Sequence, residues 1–416
     1  MPDTAIDPCF ENQPAMLNVE QAIAELLRNA KAVGKTERID LMAAAGRILA
    51  QDLESPIDVP GFDNSAMDGY AINTDDIEHA GTEGLQITQR IPAGSTGVPL
   101  QPGCCARIFT GAPIPEGANA VAIQEICRVE DNRIFFDQTL CNAENIRPRG
   151  NDITTGSTIL RDGTLLQAAH LGLAASVGIT EVDVYRKLMV ATFSTGDELV
   201  EPGKPLAPGQ IYNSNRYQLQ ALLESQGCTV IDLGTVADTF SAIRDALLQG
   251  AEQADLVMTT GGVSVGEEDY VKAALESVGE LTLWRVKMKP GKPLVFGRIG
   301  ETPFIGLPGN PVSVFVTFLL FARPYLQTLQ GREVTQPQSY AVRAGFDYRA
   351  KQRREYVRVR LNNDTGGAVT AETFSRQGSD VMSSVACSDG LVEIPEGGSV
   401  KVGDMVRFLP FSEWAR

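Results

Sequence analysis

Between Arg186 and about Gln330 the chain alternates strand-like and helix-like runs: KLMVATFST, RYQLQALLESQG, CTVIDLG, SAIRDALLQGAEQ and DLVMTTGG follow in that order. Such alternation predicts parallel strands, because each connection between parallel neighbours has to cross the sheet and its helix covers a face. Residues 186–332 are therefore expected to form a doubly wound parallel α/β domain. Ligands in such domains bind beyond the carboxyl ends of the strands, so the topology also says where chemistry should be sought.

The rhythm differs on either side. Residues 17–33, LNVEQAIAELLRNAKAV, carry apolar positions at helical spacing and stop at Gly34, and a second short helix is expected over 40–49. From Pro56 to about Ile146 short β-prone runs are separated by Gly and Pro, which predicts a β-rich inserted domain over 56–146. Residues 147–180 are mixed and end in a helix, QAAHLGLAASVG. This places 15–55 and 147–185 together as a discontinuous N-terminal linker domain. After Pro337 come YAVRAGFDYR, EYVRVRL, GLVEIPEG and DMVRFLPF, short alternating strands that predict a small β-barrel-like domain over 333–416. The first dozen residues read as a tail.

At 416 residues the chain is too long for one core, and its 43% hydrophobic content supplies enough apolar surface to order several. The formal net charge of −16, with no Lys/Arg block, argues against nucleic acid as a partner. MPDTAIDPCFENQPAM lacks the basic start and apolar core of a secretory signal, so a cytoplasmic location is expected. The longest apolar stretch, Val312 to Ala322, is about half the ~20 residues of a membrane span and is broken by Ser313 and Thr317. It reads as a buried core helix, with no membrane as partner. Seven cysteines form no CxxC pair and argue against a disulfide framework. With only His79 and His170 available, catalysis has to rest on carboxylates, basic residues and backbone amides.

Three segments of the α/β region carry most of the chemistry. In DLVMTTGGVSVGEEDYV a strand runs through Gly261, Gly262, Ser264 and Gly266 into a helix, which suits either a phosphate cradle or a tight structural turn. Glu267, Glu268 and Asp269 at the helix start suit capping, and beside a phosphate cradle they also suit Mg²⁺, the reading favoured for Asp269. In GLPGNPVS, Pro308 and Gly309 precede Asn310 as N-cap and Pro311 at the first helical position. Before it, MKPGKP carries Lys289 and Lys292 around a bend, where they can meet an oxyanion as point charges. Glu198 in FSTGDEL and Asp238 after VIDLG also follow strands. If the sheet brings these ends together, Glu198, Asp238 and Asp269 converge on one site suited to a hard divalent cation with phosphate ligands, while loop solvation remains the plainer reading. In the insert, Asp63, Asn64, Ser65 and Asp68 of VPGFDNSAMDGYA fit turn chemistry as well as a site.

PGFDNSAMDGYA, RIFTGAPIPEGANAV, RPRGND, FSTGDEL, TTGGVSVGEEDYV, MKPGKP and GLPGNPVS, in this order, make the chain resemble the molybdopterin molybdenumtransferase family, which includes bacterial MoeA proteins and the E domain of gephyrin. The resemblance runs from the N-terminal helices to the last β domain. It implies an Mg²⁺-dependent enzyme that takes adenylylated molybdopterin and molybdate, releases AMP and forms molybdenum cofactor. It further implies functional acids at Asp68, Asp152, Glu198, Asp238 and Asp269. Glu198, Asp238 and Asp269 would serve the metal and adenylate end, and Lys289 and Arg358 would neutralise phosphate or molybdate. Thr110, Gly261, Gly262, Ser264, Lys292, Pro308, Gly309, Asn310, Arg358 and Ser379 complete the implied ligand contacts. Arg285 stands where relatives often carry lysine, and its planar fork implies a different oxyanion geometry.

By the same resemblance the protein is an elongated homodimer whose clefts join the insert of one subunit to the α/β and C-terminal domains of the other. A transient partner, the molybdopterin adenylyltransferase, is implied as well. Two other functions compete: a molybdopterin-binding scaffold without turnover, and the adenylyltransferase itself, whose single domain resembles the α/β region here. Retained acids weigh against the first, and the additional domains against the second.

Overall fold

A computed structural model describes residues 16–28, 30–263, 270–363 and 369–414. The chain forms two compact units, one made of residues 1–37, 46–48 and 185–416, the other of 38–45 and 49–184.

In the larger unit a six-stranded sheet runs in the order Thr229–Val236, Met189–Thr195, Leu256–Thr260, Thr302–Leu307, Pro293–Ile299, Gly279–Arg285. The first four strands are parallel, as the alternation predicts. The last two are antiparallel and form a hairpin edge that the sequence rhythm does not announce. Successive strand residues face opposite sides. Val190, Met258 and Ile305 join one core with Leu219, Leu223 and Phe318, whereas Ala191, Val257 and Phe304 join another with Ile243, Leu247 and Val271. Burial on both faces explains why these strands read as nearly continuous apolar runs.

The helices start where their caps dictate. Asn213 accepts from the Arg216 amide to open Ser214–Ser225, and Thr239 accepts from the Ala242 amide to open Phe240–Gln253. The apolar stretch from Val312 proves longer than its sequence limits. A helical run Pro311–Leu329 continues through a π-turn at Phe318–Ala322 and has the length of a membrane span, yet nearly all of it is buried inside the protein. Thr317, which interrupts the apolar run, satisfies its hydroxyl by donating to the Ser313 carbonyl at 2.6 Å.

A closed five-stranded barrel occupies the C-terminal region in the order Arg354–Asn363, Val369–Thr373, Tyr340–Ala344, Met405–Pro410, Gly390–Ile394. Closure comes from the ten-residue strand Arg354–Asn363. Its first half pairs with Gly390–Ile394 and its second with Val369–Thr373, leaving neither as an edge. Val357, Val359, Val392 and Phe408 fill the interior. Met288–Lys289 adds to this barrel as a parallel strand beside Arg354 and Glu355.

The smaller unit is built on a six-stranded sheet in the order Ala120–Ile123, Gly69–Ile72, Cys104–Ile108, Leu85–Ile91, Arg133–Phe135, Arg128–Glu130, parallel only between its two middle strands. The helix expected over 40–49 is one 3₁₀ turn, Leu41–Ala43. Asp40 caps it by accepting from the Met42 amide, and Gly46 at φ +75° redirects the chain before a second turn can form. The first helix is likewise shorter than its apolar pattern, Val19–Leu27, opened by a reciprocal Asn18–Gln21 capping box.

Phe318 is fully buried at the π-turn. Phe318→Ala should lower the free energy of unfolding by about 3–5 kcal/mol, read as a reduced urea midpoint with little change in slope.

Candidate functional site

The four parallel strands end at Thr195, Val236, Thr260 and Leu307, and the residues that follow them meet around one cavity of about 1130 Å³. Glu198, Asp238, Gly261 and Gly262 lie along it, as do Pro308, Gly309 and Asn310. Lys289, Lys292 and Arg353 bring positive charge, and Gln377, Gly378, Ser379 and Asp380 come from the barrel region. The volume slightly exceeds the usual range for one drug-sized ligand, which suits a substrate of several linked groups.

The glycine turn is required by packing before any ligand is considered. Gly261 has φ +91°, and a Cβ there would come within 2.7 Å of the Thr195 carbonyl oxygen. Gly262 has φ +62°, and its Cβ would overlap the Val271 side chain. The same tight packing brings the turn's backbone to the cavity surface. Ser264, Gly266, Glu267, Glu268 and Asp269 lie outside the described residues.

At the other turn, Asn310 has the extended backbone of an N-cap residue, but its side chain makes no capping bond. It is exposed and lines the cavity, so the stability role read from sequence does not account for its side chain. Two carboxamides one helical turn apart hold this segment. Asn215 Nδ2 donates to the Gly309 carbonyl at 2.6 Å and Gln218 Nε2 to the Pro311 carbonyl at 3.1 Å. From the other side, the Val312 amide donates to the Ser379 carbonyl at 3.0 Å.

Of the three expected metal ligands, the structure brings Glu198 and Asp238 to one cavity. Glu198 is exposed and its carboxylate folds back over Gly196. Asp238 Oδ1 accepts the Thr195 hydroxyl at 3.1 Å. Among the described residues no group of three or more His, Cys, Asp or Glu side chains is arranged to hold a metal ion. Two carboxylates facing a cavity fit Mg²⁺, which commonly takes one or two protein carboxylates and completes its shell with water and substrate phosphates.

The basic residues divide into two kinds. The Lys289 side chain is 43% exposed and its ammonium donates to Glu355 Oε2 at 2.9 Å, whereas the Glu355 side chain is buried. Burial pushes the Glu355 carboxyl upward, but hydrogen bonds from Tyr348, Lys289 and the Lys351 amide outweigh it and leave the pKa below the ordinary carboxylate value. Lys292 is exposed. Arg358, which the resemblance sets against phosphate or molybdate, lies behind the cavity wall. It is 2% exposed and off the cavity surface, donating through Nε to Ser384, Nη1 to the Tyr356 carbonyl and Nη2 to the Gly378 carbonyl. Burial pulls its pKa down to about 10. It reaches the lining only through the Gly378 carbonyl that it holds. Arg285, in the edge strand, does not line the cavity either.

In the smaller unit, Asp68 Oδ1 accepts both the amide and the hydroxyl of Thr110, each at 2.9 Å. The amide bond first, then the hydroxyl, holds the Asp68 carboxyl below its ordinary pKa. Asp152 is exposed, and its amide donates to the Val59 carbonyl at 2.9 Å. Sequence reasoning missed Arg353, Asn215, Gln377, Asp380 and the Glu355 partner of Lys289. The only available signals were the Arg-Arg pair before EYVRVRL and the polar RQGSD segment.

A mixed α/β sheet with a charged cavity at its parallel strand ends, joined to a closed barrel, defines a ligand-binding α/β protein of the doubly wound class. Profiles described as "MoeA N-terminal region (domain I and II)", "Probable molybdopterin binding domain" and "MoeA C-terminal region (domain IV)" match residues 17–178, 191–328 and 341–411. The molybdopterin molybdenumtransferase of Haemophilus influenzae is 41% identical over 402 residues, covering 95% of this chain and 99% of its own. That of Nostoc sp. is 37% identical over 95% of this chain and 88% of its own. The crystal structure of the molybdopterin biosynthesis MoeA protein from Pyrococcus horikoshii OT3 superposes with a TM-score of 0.82 at 29% identity, covering 95% of this chain and all of that one. The chain belongs to the MoeA family of molybdopterin molybdenumtransferases.

Gly262→Ala combines a left-handed backbone with overlap on Val271 and should cost about 1–3 kcal/mol in urea unfolding. Asp68 has a depressed folded pKa, so its contribution to stability is fully present above the unfolded value of about 3.9 and is lost as pH falls through the lower folded value. The difference in unfolding midpoint between wild type and Asp68→Asn should therefore shrink between pH 6 and pH 3. A difference constant with pH would contradict the assignment.

Proposed function

We propose that the protein inserts molybdenum from molybdate into adenylylated molybdopterin, releasing AMP and forming molybdenum cofactor. The supporting observation is one cavity, at the ends of four parallel strands, that presents Glu198 and Asp238 together with Lys289, Lys292 and Arg353, in a chain 41% identical to a molybdopterin molybdenumtransferase. A phosphate-bearing substrate needs cations and backbone donors against its anionic groups, and carboxylates only where a divalent cation intervenes. That combination distinguishes this cavity from a plain anion pocket.

In this reading Lys289 and Lys292 bind the phosphates, the Gly261–Gly262 and Pro308–Asn310 turns allow close backbone approach, and Glu198 and Asp238, with Asp269, hold Mg²⁺. Bound there, the cation would neutralise phosphate charge as AMP departs. By the family resemblance, Asp68, with Thr110, and Asp152 serve the same reaction. Arg358 and Ser379 shape the ligand wall, Arg358 by holding the Gly378 carbonyl. The working form is a homodimer in the cytoplasm, supplied by the molybdopterin adenylyltransferase. The four-part division into 15–55 with 147–185, 56–146, 186–332 and 333–416 accompanies this proposal.

Purified protein given adenylylated molybdopterin, Mg²⁺ and molybdate should release AMP in proportion to molybdate consumed. Asp238→Asn should reduce that turnover about 100-fold while leaving the unfolding midpoint nearly unchanged. Absence of AMP release from competent substrate would return the chain to a binding scaffold.

A further inference from the structure

Lys289 reaches the cavity from an unusual support. Met288–Lys289 leaves the hairpin edge of the α/β sheet and pairs in parallel with Arg354–Glu355, so the residue opposite Lys289 in the ladder is Glu355. The Arg354 amide donates to the Lys287 carbonyl at 3.0 Å, and Arg353 Nη1 to the Met288 carbonyl at 3.4 Å, which ties this short strand to the barrel. Glu355 is 3% exposed, and both its oxygens are engaged. Oε2 accepts the Tyr348 hydroxyl at 2.7 Å and the Lys289 ammonium at 2.9 Å, while Oε1 accepts the Lys351 amide at 3.3 Å.

Stability is a weak reason for this arrangement. A buried carboxylate must recover its desolvation cost from its partners, and well-packed apolar residues often serve a fold as well or better. The arrangement does constrain position. A lysine side chain is a flexible stem with many rotamers, and an ammonium in a large open cavity would sample many of them. A carboxylate already fixed by a tyrosine and a backbone amide gives that ammonium one place to sit, on a lysine that lines the cavity and whose side chain remains part-exposed.

We propose that Glu355, buttressed by Tyr348, is the positioning residue for Lys289, holding the ammonium where the substrate's anionic group develops charge. The inference rests on the transferase reading of the cavity. It predicts a split between rate and affinity. In Glu355→Gln the ammonium keeps its charge and loses the opposing carboxylate, so an anion is bound at least as well. Its geometry loosens, so turnover falls. A purely architectural Glu355 would instead lower affinity and rate together as the wall deforms.

The test uses the full chain, with AMP as the binding probe and AMP release as turnover. Expected for Glu355→Gln are a fall in kcat of roughly 10–100-fold and an AMP Kd no weaker than wild type. Lys289→Met should lose both affinity and rate, and adding Glu355→Gln to it should slow turnover no further. Tyr348→Phe, which keeps both charges, should move kcat in the same direction by a smaller factor, and it carries the test if Glu355→Gln does not fold. The inference is overturned if AMP affinity falls in step with kcat, if kcat is unchanged, or if the two single losses multiply. With active wild type, those results remove only the role of Glu355. A wild type that binds AMP but turns over nothing removes the transferase reading and this inference with it.

Discussion

The structure depends on the burial of both faces of the parallel sheet. With helices packed on either side, Val190, Met258 and Ile305 enter one core and Ala191, Val257 and Phe304 the other, and the strands' buried polar groups are hydroxyls such as Thr192, Ser194 and Thr259. The carboxylates and backbone groups that line the cavity lie where the strands stop. Each strand must then turn sharply to feed a helix on one face or the other, and these turns bring Glu198, Asp238, Gly261 and Asn310 to one cavity. The site is thus a consequence of topology, and residues far apart in the chain meet because their strands are neighbours.

How much of this the sequence carries depends on whether a feature is local. The parallel strands were legible because apolar runs bounded by glycine turns are a local pattern, and so were the two glycine turns. The antiparallel edge was not. WRVKMKPGKPLVFG contains parts of both edge strands, but its lysines and prolines read as a loop, and only pairing with Thr302–Leu307 makes Pro293–Ile299 a strand. The helix expected over 40–49 failed for a local reason that outranks periodicity, since a cap at Asp40 and a left-handed Gly46 leave room for one turn. Burial is the least legible property. Arg353 and Arg358 are five residues apart on the same segment, yet one lines the cavity and the other is sealed behind it. Likewise Asn310 looks like a cap in sequence and only the structure shows its side chain uncommitted to capping.

The barrel supplies what the sheet cannot. Strand-end turns offer carboxylates and backbone, but the hairpin edge and the barrel contribute Lys289, Arg353 and the 377–380 segment. Arg358 shows how a buried charge can support a cavity wall from behind. Its guanidinium donates to Gly378 from behind the wall, so substituting it would leave Ser384 and two carbonyls without their donor and release the loop that it supports.

A chain of net charge −16 that is proposed to act on a phosphate-bearing substrate presents an apparent conflict. Screening resolves it. At physiological ionic strength charges more than about 8 Å apart are largely damped, so the total matters less than the few groups lining the cavity. Those groups are mixed in sign: Lys289, Lys292 and Arg353 against Glu198, Asp238 and Asp380. A cavity lined by cations alone would hold an anionic product as firmly as its substrate, whereas turnover requires release. Interleaved acids moderate ground-state attraction, and a divalent cation can shift the balance toward binding. The Glu355 carboxylate applies the same principle to Lys289 at the scale of a single hydrogen bond.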